Sequence, residues 1–457
     1  MFASRLISKL ANRLKMALAR RSLSLVNRAT KVIALNSIIN FVIKARWLLR
    51  MLWLVAFEET GSLLAHSTVL FFCHDNNRGL DLGGKPYAQL ADAMRDELES
   101  LGISCQTIAL FGSSLTGRKA YGSPFSINKS CLFAHIKKKL FAFSDSTKQV
   151  YIRTLVRSRA RLVISINSTS ELAQAARDCR VFHVELLHAM GYQEVPWGWD
   201  SKEAYSLPQG ILSLDSISTS TFAALESKGV YTKTIPNPFL RRLVYGKAAS
   251  IPEEWRYSAT LNGYAKKILV SLQWGYAGDH GVYTEFADIL PNGLFYDELQ
   301  ELIACNSQVF WHFRLHPVQL RDHRYKKLRH FLDSFVQSHS NCEWLQSSRL
   351  PLPVIAKACS GNITMSSQIC YEVAAMGVCS LLLCPTLNKG CIHERWFSDL
   401  VHEGYAIKSK PDIAELQGWL DSVSPIKPRD ASLANDELWR NALEWTFRSA
   451  GISIELP

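Results

Sequence analysis

From Val69 onward, the sequence alternates short apolar segments with longer segments whose apolar residues recur at helical spacing. The short segments predict strands, because they are rich in β-branched and aromatic residues. The predicted strands are Val69–Cys73, Ser104–Leu110, Leu162–Ile166, Val181–Leu186, Ile211–Leu214, Thr232–Ile235, Ile268–Leu272, Val309–Leu315, Cys342–Leu345, Ile363–Met365 and Cys379–Cys384. Strands separated by helices form βαβ units with parallel pairing. The sequence therefore predicts an α/β fold.

The chain has 457 residues, which is too long for one ordinary core and favours two parallel-sheet domains. The stretch Pro236–Gly263 interrupts the rhythm with three prolines and is predicted to be the linker. We predict a basic helical segment over 1–60, a first lobe over 61–250, a second lobe over 251–410 and C-terminal helices over 411–457.

Two segments of the second lobe end in polar residues. Val309–Leu315 is followed by His316-Pro317, and Pro317 cannot donate to a sheet ladder, so the strand is predicted to stop there. Ile363–Met365 is followed by Ser366-Ser367, in the position of a helix cap, and then by a predicted helix that Gly377 closes.

These two strand ends predict an anion site. Hydroxyls, backbone N–H groups and the positive end of a helix lie at the carboxyl edge of a parallel sheet, where Arg314 and His316 converge from a neighbouring strand. The simplest ligand that fits these groups is the diphosphate or phosphate of a nucleotide-sugar. Taken alone, Ser366-Ser367 is also typical of an ordinary helix cap and His316-Pro317 of an ordinary turn.

The net charge of +12 is concentrated at the N-terminus. Residues 1–57 hold eleven Lys and Arg and no acidic residue, so removing them leaves +1 for residues 58–457. A nearly neutral body argues against a nucleic-acid-binding protein, in which basic residues line a folded groove.

The basic segment predicts an amphipathic helix on an anionic membrane surface. Its leucines recur at helical spacing among the cations, at Leu6, Leu10, Leu14, Leu18 and Leu25. Neither of its apolar stretches reaches the roughly 18–20 residues that span a bilayer. The expected location is peripheral, on the cytoplasmic face of the cell membrane. The alternative is a basic helix that packs against the protein itself.

The eleven cysteines form no Cys-x-x-Cys pair and no His/Cys cluster at zinc spacing. Most lie inside predicted strands and helices, as is usual for cysteines that act as small apolar side chains in a reducing compartment. We expect no cofactor, and the sequence has no Asp-x-Asp triplet of the kind that binds a metal ion.

Three segments resemble the GT-B glycosyltransferases of bacterial capsule and surface-polysaccharide assembly. They are Phe313-Arg314-Leu315-His316-Pro317, Ser366-Ser367 with Glu372, and Val184-Glu185-Leu186-Leu187-His188-Ala189-Met190-Gly191-Tyr192. Polysialyltransferases, Kdo transferases and teichoic-acid glycerophosphotransferases are similar in the same way. The third segment departs from the Glu-x-Gln-His-Gly pattern of the family at Leu187 and Ala189.

The resemblance implies two Rossmann-like lobes around a cleft and transfer of a sugar from a nucleotide-sugar to a glycan or lipid-linked acceptor. It implies that His316, Ser366 and Ser367 hold the donor phosphate, beside Arg314 and Pro317, and that Glu372 reaches the ribose. No metal is required for this chemistry, because hydrogen-bond donors and a helix dipole stabilise the leaving group.

The catalytic base is expected in the first lobe, across the cleft from the donor. His188 ends a predicted strand there, and a neutral imidazole suits proton removal from a hydroxyl near pH 7. Asp75 and Asp81, in the glycine-rich loop 74–85, are the alternatives. Gly83-Gly84-Lys85, before a helix predicted to begin at Pro86, is a weaker candidate for an anion site.

Two other functions remain open from the sequence. One is a non-catalytic scaffold or regulator in a polysaccharide assembly complex, suggested by the missing glycine after His188. The other is a sugar-nucleotide epimerase of similar fold, which acts on soluble nucleotides and needs no cationic membrane helix.

Overall fold

The computed structural model describes residues 45–56, 63–141, 146–245, 252–257, 263–273, 275–276, 289–290, 294–321, 323–429 and 435–454. The chain divides into two compact units, Met1–Glu58 and Glu59–Pro457. The first 44 residues, including the predicted leucine stripe, and residues 246–251 and 258–262 of the predicted linker lie outside the described residues.

In the first unit, residues 45–56 form helix α1. Four large apolar side chains of α1 are at least 39% exposed, at Leu48, Leu49, Leu52 and Trp53, and Arg46 and Arg50 are exposed as well. Among the described residues, no helix has the length and the apolar character needed to cross a membrane.

The first sheet of the second unit has seven parallel strands in the order β5-β4-β1-β6-β7-β8-β9. Its strands are β1 (Val69–Cys73), β4 (Cys105–Ala109), β5 (Phe125–Ser126), β6 (Leu162–Ser165), β7 (Phe182–Leu186), β8 (Gly210–Ser213) and β9 (Tyr231–Thr234). Its helices are α2 (Gln89–Ser100), α3 (Asn128–Phe141), α4 (Ser146–Ser158), α5 (Ser170–Asp178), α6 (Ser216–Phe222) and α7 (Pro238–Leu240).

Helices cover both faces of this sheet. Alternate residues of β1 point to opposite sides, so Phe71 joins a core with Met94 of α2, whereas Phe72 joins a core with Leu155 of α4 and Leu172 of α5. All five side chains of β1 are buried, as expected for a central parallel strand.

The second sheet has six parallel strands in the order β12-β11-β10-β13-β14-β15. Its strands are β10 (Lys266–Ser271), β11 (Val309–Arg314), β12 (Cys342–Glu343), β13 (Gly361–Thr364), β14 (Cys379–Leu382) and β15 (Ala406–Lys408). Its helices are α8 (Asp297–Cys305), α9 (Pro317–Arg321), α10 (Lys326–Ser338), α11 (Leu345–Arg349), α12 (Leu352–Ala356), α13 (Ile369–Ala374), α14 (Ser398–His402) and α15 (Ile413–Ser422). The predicted α/β class with two Rossmann-like lobes is confirmed.

The two helices of the segment 411–457 pack on different sheets. Trp419 of α15 lies against Gly361 in β13 of the second sheet. The last helix, α16 (Asp436–Ser449), returns to the first sheet, where the ring of Trp445 lies 5.9 Å from that of Phe182. The C-terminus therefore ties the second lobe back to the first.

The helix predicted to begin at Pro86 begins three residues later, at Gln89. Leu80–Leu82 (β2) and Lys85–Tyr87 (β3) instead pair as an antiparallel hairpin. Gly83 and Gly84 both have positive φ, at 59° and 68°, which is the conformation of a two-residue hairpin turn. Since the Gly83 N–H donates to Glu254 Oε1 at 2.7 Å, this Gly-Gly pair forms a turn rather than an anion site.

Candidate functional site

The two polar strand ends of the second lobe lie on either side of its central strand. Because β10 pairs with both β11 and β13, the residues that follow β11 and those that follow β13 meet at one edge of the sheet. The chain runs outward through β11 and β12 and then returns to β13, so the strand order reverses between β10 and β13. Open parallel sheets bind ligands in the crevice at such a reversal.

His316 follows β11 and begins the turn into α9. Its Nδ1 accepts the N–H of Val318 at 3.2 Å, and its own N–H donates to Gln319 Oε1 at 3.0 Å. Burial, Arg314 and His188 together lower the pKa of His316 to about 4. The imidazole is therefore neutral at pH 7, and with Nδ1 accepting, its proton is on Nε2.

Arg314, the last residue of β11, lies beside the crevice, but its guanidinium also donates to backbone carbonyls of the protein. Its Nη1 donates to the carbonyl of Leu350 at 2.7 Å and to that of Ser347. Burial lowers the pKa of Arg314 to about 10, and Glu372 and Glu343 oppose that effect. Arg314 therefore remains a cation at pH 7 and fixes the segment after β12.

Glu372 lies in the first turn of α13 and is half-buried. Burial raises its pKa to about 7, against the opposing influence of Arg314. Since the carboxyl group interacts with Arg314 through space rather than by an ion pair within 4 Å, it retains hydrogen-bonding capacity for a ligand.

The structure separates the roles of the two serines after β13. The Ser366 hydroxyl is buried at 2.7 Å from the hydroxyl of Tyr276, and the Ser366 N–H donates to Gln273 Oε1 at 3.0 Å. Ser367 is half-buried, and its Oγ accepts the N–H of Ile369 at 3.4 Å. Both serines were predicted at the cap position of the helix, but α13 begins at Ile369 after Gln368.

His188 lies in the first lobe, two residues after the end of β7. Solvent reaches its imidazole, yet surrounding protein atoms desolvate it enough to lower its pKa below the ordinary value. His188 also contributes to the low pKa of His316. The two imidazoles, one from each lobe, are therefore close enough to interact electrostatically.

The lobes touch at two places beside these histidines. A Cβ on Gly191, three residues after His188, would lie 2.0 Å from the ring of Tyr371, the neighbour of Glu372. A Cβ on Gly79 would lie 3.0 Å from Cγ of Pro317, the neighbour of His316. The strand-end loops of both lobes thus meet beside His188, His316 and Glu372.

Solved structures of other proteins share this two-lobed architecture. A UDP-GlcNAc 2-epimerase from Methanocaldococcus jannaschii, in complex with UDP-GlcNAc and UDP, is similar with a TM-score of 0.50 and 14% identity, over 83% of this chain and 99% of that one. The S. aureus MnaA-UDP co-structure is similar with a TM-score of 0.51 and 12% identity, over 86% and 99%. The glycosyltransferase SnogD from Streptomyces nogalater is a looser match, with a TM-score of 0.43 and 15% identity over 84% and 94%.

The chain has the GT-B fold. No protein-family model matches its sequence, and no curated protein matches it at a significant level. At these identities the structural similarity concerns the fold, and the family of capsule and surface-polysaccharide enzymes named by the sequence motifs stays a prediction.

The two aspartates proposed as alternative bases have other contacts within this GT-B fold. Asp75 Oδ2 accepts from the Ser114 N–H at 2.6 Å, the Ser114 hydroxyl at 3.0 Å and the Leu115 N–H at 3.4 Å. Asp81 is exposed in the hairpin strand β2, where its carbonyl accepts from Trp255 Nε1 at 2.7 Å. Asp75 holds a loop, and Asp81 belongs to a surface hairpin.

Glu185 is a residue of this site region that the sequence prediction left without a role. It is fully buried in β7 and accepts from the Ser165 hydroxyl at 2.5 Å and from the N–H groups of Asn167 and Ser168 at 2.7 and 3.1 Å. Burial raises its pKa to about 8. Glu185 thereby fixes the loop after β6 beside the strand that leads to His188, and an acidic residue inside a predicted buried strand was the available signal.

Within the part of the chain that the structure describes, no group of three or more His, Cys, Asp or Glu side chains is arranged to hold a metal ion. The candidate reactive groups are instead the neutral imidazoles of His188 and His316, the hydroxyl of Ser367 and the carboxyl group of Glu372, whose pKa is raised.

Proposed function

We propose that this protein is a glycosyltransferase that moves a sugar from a nucleotide-sugar to a glycan or lipid-linked acceptor, without a metal. The observation that carries this proposal is the pair of neutral imidazoles, His188 and His316, one supplied by each lobe of a GT-B fold. One imidazole suits a hydrogen-bond donor to phosphate, and the other suits a proton acceptor for the incoming hydroxyl.

The donor nucleotide belongs on the second lobe in this proposal. The Nε2–H of His316 and the hydroxyl of Ser367 donate to the phosphate that leaves with the nucleotide. Glu372 accepts from ribose hydroxyls, which supply the hydrogen bonds that its carboxyl group lacks within the protein. Arg314 contributes positive potential while it holds Ser347 and Leu350, and Pro317 sets the turn that orients His316.

The acceptor approaches from the first lobe. His188 takes the proton from the acceptor hydroxyl, and the oxygen forms a bond with the anomeric carbon. The bond from that carbon to the phosphate oxygen breaks, and its electron pair leaves with the nucleotide. Hydrogen bonds aimed at that phosphate stabilise the charge as it develops.

An assay with the purified chain tests this function. UDP-, GDP- and CMP-sugars are incubated with and without candidate glycan acceptors, and nucleotide release is measured. Release that depends on an acceptor, together with a glycosylated product, supports transfer. Tight nucleotide binding with no turnover under any condition favours the non-catalytic scaffold instead.

A sugar-nucleotide epimerase is the second candidate, and one observation favours it. Three structures similar at a TM-score of 0.50 are UDP-GlcNAc 2-epimerases, and one of them is a complex with UDP-GlcNAc and UDP. An epimerase inverts a C–H centre without any acceptor. Conversion of UDP-GlcNAc to its 2-epimer in the absence of acceptor, with deuterium from D₂O at that carbon, would decide for the epimerase.

Attachment to the cytoplasmic face of the cell membrane completes the proposal, with an expected role in the cell envelope. The support is the exposed apolar side of α1, formed by Leu48, Leu49, Leu52 and Trp53, in a segment of eleven cations and no acid. Amphipathic basic helices of this kind lie in the interface of anionic membranes. Lipid-linked acceptors are found at the same surface.

A further inference from the structure

The loop after β7 presents an exposed indole next to His188. Trp197 is 42% exposed, although large aromatic side chains are mostly buried in folded proteins. Its φ is +62°, and that of Gly198 is +64°. A left-handed conformation is rare for a bulky residue that is not glycine, and such strain is concentrated at functional sites.

Three rings hold Trp197 in place. Its ring centroid lies 5.9 Å from that of His188, 5.8 Å from that of Tyr192 and 5.1 Å from that of Trp199. Tyr192 and Trp199 are buried, at 9% and 3% exposure, so they anchor the loop. One side of the indole is thus held by these rings, and another side is open to solvent next to the imidazole of His188.

We propose that Trp197 forms an acceptor subsite, in which the apolar face of a pyranose ring stacks on the indole and a ring hydroxyl reaches His188. This inference rests on the proposed function and adds the class of acceptor, a sugar ring rather than an acyclic polyol phosphate.

The chemistry of the indole face distinguishes these two acceptor classes. Aromatic faces carry a negative quadrupole, so they attract the polarised C–H groups of a pyranose face and disfavour phosphate oxygens. A flexible polyol has no flat face to offer. The proposed phosphate-binding groups, His316 and Ser367, belong to the second lobe, which leaves the indole of the first lobe for the other substrate.

Saturation-transfer NMR on the full-length chain tests the subsite. The probes are methyl β-glucoside, methyl β-galactoside and the methyl glycoside of N-acetylglucosamine, with glycerol 3-phosphate as the acyclic comparison, each with and without UDP, CMP, GDP or CDP. We expect saturation of ring protons of at least one glycoside and none of glycerol 3-phosphate. Trp197→Ala should weaken that glycoside about two- to tenfold, whereas Trp197→Phe should retain most of the binding.

Tyr231→Ala is the matched control, because Tyr231 is 55% exposed in the edge strand β9, and it should leave the glycoside signal unchanged. Equal glycoside binding in the wild type and Trp197→Ala, or no glycoside signal in a chain that binds nucleotide, overturns the subsite but not the donor site. Weaker nucleotide binding in Trp197→Ala also overturns it, since the indole would then hold the donor. Glycoside binding that depends on Trp197 in a chain that binds no nucleotide would retain the subsite and reject the proposed transferase.

Discussion

At the scale of single residues, His316 is proposed to serve both the fold and the ligand. Nδ1 accepts the N–H of Val318, which steadies the first turn of α9, and in the proposed site Nε2–H donates to the phosphate of the donor. Asparagine places an acceptor near the position of Nδ1 but has no group at Nε2. His316→Asn therefore separates the two tasks, which His316→Ala removes together.

We predict that His316→Asn keeps the melting temperature near that of the wild type and weakens nucleotide binding about ten- to a hundredfold, because a hydrogen bond to a charged phosphate contributes about 1.5–3 kcal/mol. Ser367→Ala should also weaken nucleotide binding. Ser366→Ala should mainly lower stability, because the Ser366 hydroxyl is paired with the hydroxyl of Tyr276. Calorimetric titration and thermal unfolding measure both effects. Unchanged affinity in His316→Asn and Ser367→Ala argues against this donor site.

Glu372 is predicted to recognise the ribose. Glu372→Ala should weaken binding of UDP, or of whichever nucleotide binds, about tenfold through the lost hydrogen bonds, and it should not change binding of the 2′,3′-dideoxy analogue. The measurement is a titration of the wild type and of Glu372→Ala with each of the two ligands, which gives the four affinities to be compared. Equal losses for the two ligands would mean that Glu372 acts through Arg314 rather than through the ribose.

His188 as the base gives a prediction for pH dependence. The neutral imidazole is the active form, and burial lowers its pKa, so kcat/KM should be retained below the usual histidine value of about 6.5 and fall only as the pH drops through the lowered pKa. His188→Ala should reduce kcat by about 10²–10⁴-fold and leave nucleotide affinity near that of the wild type. Collapse of kcat in Asp75→Ala or Asp81→Ala with near-normal kcat in His188→Ala would transfer the role to the loop 74–85.

At the scale of elements, the loop after β7 and helix α13 are fitted to each other. Gly191 has φ +73°, its N–H donates to Asp215 Oδ2 at 2.9 Å, and the ring of Tyr371 occupies the space of a Cβ. Ala189, where the family pattern has glycine, is not among the described residues with positive φ, so alanine fits there without strain. The glycine that this loop requires is Gly191.

Gly191→Ala should therefore harm the protein more than Gly229→Ala does. Gly229 has nearly the same φ, +72°, but nothing lies within 4 Å of its Cβ position. Both variants carry the left-handed penalty of about 1–2 kcal/mol, and Gly191→Ala adds overpacking worth about 1–3 kcal/mol. The free energy of unfolding in urea and the turnover rate should both fall further in Gly191→Ala than in Gly229→Ala. Equal losses would mean that the contact between Gly191 and Tyr371 does not contribute to the crevice.

At the scale of the whole molecule, charge and fold are divided between two compact units. The eleven cations lie in Met1–Glu58, while Glu59–Pro457 contains both sheets and the crevice. Proximity to an anionic leaflet contributes about 1 kcal/mol per cation. Only part of the eleven need engage for useful binding, and the exposed apolar side of α1 adds to it.

We predict that the full chain sediments with anionic liposomes and that a chain beginning at Glu59 does not. The full chain with Leu49→Glu and Trp53→Glu keeps every cation and should bind more weakly, especially at high salt, where only apolar contacts resist screening. Sedimentation at low and high salt measures this. Equal sedimentation of the full and shortened chains would refute membrane attachment through the N-terminal unit.

The sequence by itself determined the α/β class, the order of the strands along the chain and the strand ends that carry His316, Ser366 and His188. The spacing of apolar residues and the positions of prolines are local properties of the sequence, so they can be interpreted without the tertiary structure. C-terminal helices were predicted over 411–457, and α16 lies within that range, at Asp436–Ser449. It could not be predicted that this helix returns to the first sheet, since packing partners are distant in sequence.

Only the tertiary structure decided which of the candidate groups are accessible to a ligand. Ser366 and Ser367 are neighbours of the same chemistry, but the first is paired with Tyr276 and the second is not. Asp75 is occupied by the loop at Ser114, and His188 acquires its low pKa from protein packed around it. Burial and hydrogen-bond pairing depend on residues far away in the chain, so no local pattern specifies them.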